Sequence, residues 1–133
     1  MANAIYPLYK QALLDGLANT DVNDGVVKVA LVDTGTYTYS AAHEFFSSLT
    51  GVVGTPGTIA TTTVANGVFD GDDVTITAVT GNTVEALVIY IDTGTAGTSR
   101  LVAYLDTGVT GLPVTPNGGN ITITWNASGI FAL

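Results

Sequence analysis

At 133 residues the chain has the length of one domain, and a composition rich in Thr, Gly and Val but poor in charge favours β structure with tight turns over a helix bundle or a disordered chain. Eleven acids against Lys10, Lys28 and Arg100 give a formal charge of −8, with no cation cluster to displace counterions from nucleic acid or to hold an anionic membrane. The absence of cysteine removes disulfides and thiolate metal sites.

Residues 5–17 form the one strong helical pattern. Pro7 suits a first turn, Ile5, Tyr9, Ala12, Leu13 and Leu17 make an apolar stripe, and Gly16 with the polar run 19–24 ends it. A strand follows at 26–32, stopped by Asp33-Thr34-Gly35, and 37–39 reads as a short extended piece. Segment 41–49 predicts one or two helical turns with Ala42, Phe45, Phe46 and Leu49 inward. Three Gly and a Pro in 51–57 predict a loop, and weak alternation over 58–64 an edge strand. Acidic residues at 70–73 predict a turn opening a strand at 74–79, with Val74, Ile76 and Ala78 on one face.

The centre of the chain is the hairpin 82–106. Its apolar runs 86–91 and 101–105 flank a Gly/Thr-rich connection at 92–99. Ala86, Val88 and Tyr90 share one face while Leu87, Ile89 and Ile91 share the other. Both faces are apolar, which places this hairpin inside a sheet covered on two sides. A Pro/Gly-rich loop at 111–119 leads to a strand at 121–125, where Ile121 and Ile123 alternate with Thr and bury Trp125, and 130–133 is expected to pair back across 126–129. These segments predict a mainly β fold: an antiparallel β-sandwich, jelly-roll-like, in a single domain 1–133 with a helical segment 1–20 and a β core 25–133.

No motif makes a catalytic constellation. Asp33-Thr34-Gly35 resembles the aspartic-protease triplet, but Asp92-Thr93-Gly94 and Asp106-Thr107-Gly108 repeat it at other strand ends. Three copies are what turn chemistry produces, Asp bonding its own backbone and Gly taking positive φ. Asp70, Asp72 and Asp73 lack the ligand ladder of a helix–loop–helix calcium site. His43 is the only histidine, too few for a zinc site. The glycines of 51–57 fit neither a dinucleotide nor a phosphate loop, and the sequons at Asn120 and Asn126 read as coincidence in a Thr-rich chain. With no membrane-length apolar run and no signal-like start in MANAIYPLYK, synthesis and folding in a cytoplasm are expected.

The blocks KVALVDTGTYTY, AAHEF, NGVFDGDDVTITAV and EALVIYIDTGTAGTSRLVAYLDTGVTGLPVTPNGGNITITW, in that order, resemble a group of small virion-associated proteins of tailed bacteriophages. The likeness runs from about Ile5 to the C-terminus. It implies a non-enzymatic structural role in the virion, assembled in the host cytoplasm: first a capsid decoration or cement protein on the major capsid protein, with a neck or tail component as the competing placement. It implies no catalytic, cofactor-binding or metal-binding residues. A homo-oligomer is expected, a trimer by the habit of cement proteins at threefold positions. The residues themselves point to segment 1–17 as the contact. Ile5, Tyr6, Tyr9, Leu13 and Leu17 form the candidate interface, because a helix this short must find an apolar surface. The runner-up is a carbohydrate-binding module with Trp125, Tyr37 and Tyr39 as a stacking platform.

Overall fold

Strands β7 (Ala86–Asp92) and β8 (Leu101–Leu105) lie side by side and antiparallel, with Leu87 opposite Leu105 and Ile89 opposite Ala103. Every residue from 86 to 91 and from 101 to 105 is buried. In this computed structural model, which describes residues 3–133, they occupy the middle of a five-stranded antiparallel sheet. Its order is β1 (Ala4–Ile5), β8, β7, β2 (Val26–Val32) and β3 (Val52–Thr58). Strand β2 runs along β7 over its full length, from Val26 opposite Asp92 to Val32 opposite Ala86. The apolar runs are continuous because both sheet faces are covered, as the sequence predicts.

Two smaller antiparallel sheets complete the fold. One pairs β6 (Val74–Ile76) with β9 (Ile121–Ile123), and the other has the order β10 (Phe131–Ala132), β5 (Val68–Asp70), β4 (Thr63–Ala65). One continuous buried cluster includes Tyr9, Leu87, Phe69 and Ile123, joining the helix to all three sheets. The chain is mainly β, with antiparallel sheets and one α-helix near its N-terminus.

That helix, α1 (Pro7–Leu14), is shorter than the predicted 5–17. Its start is fixed by β1, since Ala4 and Ile5 pair with Tyr104 and Ala103 before Pro7 opens the first turn. At its end Leu17 donates to the Ala12 carbonyl and Gly16 to the Leu13 carbonyl, a Schellman closure with Gly16 at φ 66°. Leu17 therefore lies beyond the reversal and off the stripe. The buried face is Tyr6, Tyr9 and Ala12.

The predicted loop at 51–57 is instead strand β3, an edge of the main sheet. Its glycines allow a close approach: a Cβ on Gly57 would collide with Val74 Cγ1 of β6. Pro56 sits where the register with β2 shifts between Val29 and Leu31, a bulge that needs no ladder donor. The predicted strand 58–64 divides between the end of β3 and β4. Asp70, read as the start of a turn, ends β5. The β4–β5 hairpin turns at Asn66 (φ 52°) and Gly67 (φ 78°), the conformation a two-residue type I′ connection requires.

Segment 41–49 makes only a single 3-10 turn, Phe46–Ser48, with Ala42 exposed, because Phe45 forms a β-bridge to Arg100. Strand β6 stops at Ile76, and Ala78 takes φ 52° instead of extending it. The C-terminal segment does not pair back on β9. Phe131 lies opposite Phe69 of β5, their rings 5.2 Å apart. Trp125 is half-buried, less than alternation predicts, its indole N–H donating to the Asp72 carbonyl at 2.9 Å.

Candidate docking surface

The polar residues singled out by motif are engaged in architecture. Asp33 Oδ1 accepts from the Gly35 amide at 2.8 Å, and Oδ2 from Thr36 and from Asn82 across the sheet end. These bonds, the Gly35 amide first, hold its carboxyl below the ordinary carboxylate value. Asp92 accepts from the Gly94 amide and pairs with Lys28 Nζ at 2.9 Å. The Lys28 bond first, then the Gly94 amide, hold Asp92 low as well. Asp33 follows Val32 and Asp92 faces Val26, so the two carboxylates stand at opposite ends of β2 and share no proton. Asp106 accepts from its neighbour Thr107.

Asp70, Asp72 and Asp73 bond separately, to the Gly71 amide, the Thr61 hydroxyl and the Trp125 amide. Among the described residues, no three His, Cys, Asp or Glu side chains are grouped to hold a metal ion. His43 ends a chain of contacts, Tyr6 hydroxyl to Tyr37 hydroxyl at 2.9 Å and Tyr37 hydroxyl to His43 Nδ1 at 2.7 Å. With Nδ1 as acceptor, Tyr6 donates to Tyr37 and Tyr37 to His43, leaving each hydroxyl satisfied. Tyr39 packs on Tyr6 at 5.1 Å and Tyr104 on Tyr37 at 6.4 Å, with Tyr39 and Tyr104 5.4 Å from each other. Tyr37 and Tyr39 thus belong to an aromatic cluster around Tyr6, while Trp125 lines a separate polar hollow with Asn3 and Asn126. The three do not form one platform.

The candidate interface residues separate by depth. Tyr6 and Tyr9 are buried in their own fold, Tyr9 donating to the Thr20 carbonyl at 2.9 Å. Ile5 and Leu13 are partly buried against the core, and Leu17 is 47% exposed. Met1 and Ala2 of the predicted contact segment 1–17 lie outside the described residues.

What the structure adds is a groove of about 400 Å³ between α1, the 20–23 loop and the β10–β5–β4 sheet. Its floor is the cross-strand row Val64, Phe69 and Phe131, and Tyr9, Leu13 and Val22 form the opposite wall. Leu133 in the lining is exposed, and Leu14, next to Leu13 on α1, is 89% exposed. Asp21 is the only charged residue in the lining. Helical periodicity points to Tyr9 and Leu13; the other lining residues come from segments whose meeting no local pattern shows.

No protein-family model matches the chain, and no curated protein matches it.

Proposed function

We propose that this chain is a non-enzymatic structural subunit of a tailed-bacteriophage virion, a jelly-roll-like decoration or cement protein that binds the major capsid protein and stabilises the head shell. The observation that carries the reading is the apolar groove beside α1. It is an open, charge-poor cleft lined by Tyr9 and Leu13 of α1, and the same N-terminal segment carries the exposed Leu14 and Leu17, on a chain of charge −8. Each leucine removed from water there contributes about 1.5–3 kcal/mol, so a few such contacts repeated over a lattice hold a shell. A homo-oligomer, by preference a trimer, is the corresponding free or bound form.

The test uses shells of the phage whose genome encodes the chain, stripped of this protein. Purified protein is expected to co-sediment with empty shells to saturation and to raise their disruption temperature. The double variant Leu14→Glu with Leu17→Glu changes only exposed positions and should stay folded but lose most shell binding. Binding to isolated necks or tails in place of shells would transfer the role to those parts. Binding to no part of the particle would reject the proposal.

A further inference from the structure

Strand β4 leaves one side of its backbone open beside the groove. In the order β10–β5–β4 it is the last strand, and Thr63, Val64 and Ala65 are all exposed. The two-residue turn makes Ala65 and Val68 the closing pair, so Val64 and Phe69 fall on the next, non-hydrogen-bonded pair. The Phe69 carbonyl confirms this parity, since it points away from β4 and accepts from the Ile130 amide at 2.8 Å. By the same alternation, the Val64 N–H and C=O point outward from the sheet, while its side chain, opposite Phe69, lines the groove. A free donor, a free acceptor and an apolar trough for alternate side chains are the parts that strand addition uses.

Charge selects the occupant. The groove lining carries Asp21 and neither Lys nor Arg, and Asp24 donates its amide to Asp21 Oδ1. Two of the chain's three cations are already held by Asp92 and Glu44. A second copy would bring the same carboxylates to this edge.

We propose that β4 accepts an extended segment of a basic partner protein as an added strand, pairing with the Val64 backbone, its alternate apolar side chains in the groove and its Lys or Arg residues against the Asp21 rim. This rests on reading the groove as the attachment surface and adds the partner's chemistry to it.

The test titrates the isotope-labelled full chain with a short capped peptide alternating Val and Thr between terminal Lys residues, and with its Glu-ended analogue. The Lys-ended peptide is expected to give saturable amide shifts at Val64, Ala65 and Leu13, and to slow hydrogen exchange at Val64. The Glu-ended analogue should bind about tenfold more weakly, a gap that closes as salt rises. Val64→Pro removes the outward N–H without touching a β4–β5 bond and should abolish the shifts, whereas Val64→Thr should retain them. If Val64→Pro does not fold, Val64→Lys makes the same test through charge, setting a cation against the peptide's Lys residues. No saturable shift, equal binding of the two peptides, full binding by the Pro or Lys variant, or the same Val64 shifts from unlabelled chain alone would each overturn the inference. Peptide binding without shell binding would reject only the virion reading. Shell binding unchanged in Val64→Pro or Val64→Lys would reject only the strand addition.

Discussion

Tyr6, Tyr9, Tyr90 and Tyr104 each hold a phenol against the core, and burial is the largest cause raising each of them. Tyr9, Tyr90 and Tyr104 are pushed up to about 12, and Tyr6 is raised by burial and by its bond to Tyr37. An unfolded tyrosine ionises near pH 10, about where the folded groups still keep their protons. The stability they contribute is therefore complete below pH 10 and declines from about pH 10 towards 12. Phenolate absorbance and circular dichroism should change together in that window. Ionisation of these four phenols near pH 10 with the fold intact would contradict their burial. Asp92 has the opposite sign. Its carboxyl is held low, so its contribution is present above about pH 4 and is lost as pH falls through the folded value. Asp92→Asn should be less stable than the native chain in urea at pH 7, and the difference should narrow at pH 3.

At the scale of elements, strands buried on both faces were legible and strands built from glycine were not. The runs at 26–32, 86–91 and 101–105 need no partner to be recognised, because continuous β-branched residues have one common use in an antiparallel sheet with two covered faces. Strand β3 pairs through the same ladder but packs by lacking side chains, so Gly54, Pro56 and Gly57 read as a loop. The β4–β5 hairpin carries a turn signal in Asn66-Gly67, but Thr63–Ala65 and Val68–Asp70 are too short to show alternation beside it. Tyr6 read as an interface residue, yet the pairing of β1 turns it inward. The groove was half-visible: Tyr9 and Leu13 follow the helical period, whereas Val64, Phe69 and Phe131 meet only through sheet order. Glycine's two uses can be measured separately. Gly57→Ala should lower stability by about 1–3 kcal/mol through overpacking on Val74. Gly67→Ala should cost about 1–2 kcal/mol for its left-handed backbone. Gly97→Ala, with nothing within 4 Å of the added Cβ, should stay within about 0.5 kcal/mol in the same urea titration.

For the whole molecule, charge and apolar surface act in opposite directions on self-association and on attachment. Each copy carries −8, so copies brought together by the exposed Leu14 and Leu17 repel one another through their carboxylates. Raising ionic strength shortens the screening length from about 30 Å at 0.01 M to about 8 Å at 0.15 M and removes most of that repulsion, while the apolar contacts persist. Free chain should therefore shift from monomer towards the proposed trimer as salt rises. Attachment to a basic partner surface gains from the same carboxylates and should weaken over the same range. Sedimentation of the free protein, and of protein with empty shells, at low and moderate salt reads both trends. Opposite slopes are the expected outcome. If self-association and attachment both strengthened with salt, the partner surface would be apolar without being basic, and the acidic rim at Asp21 would have no part in choosing it.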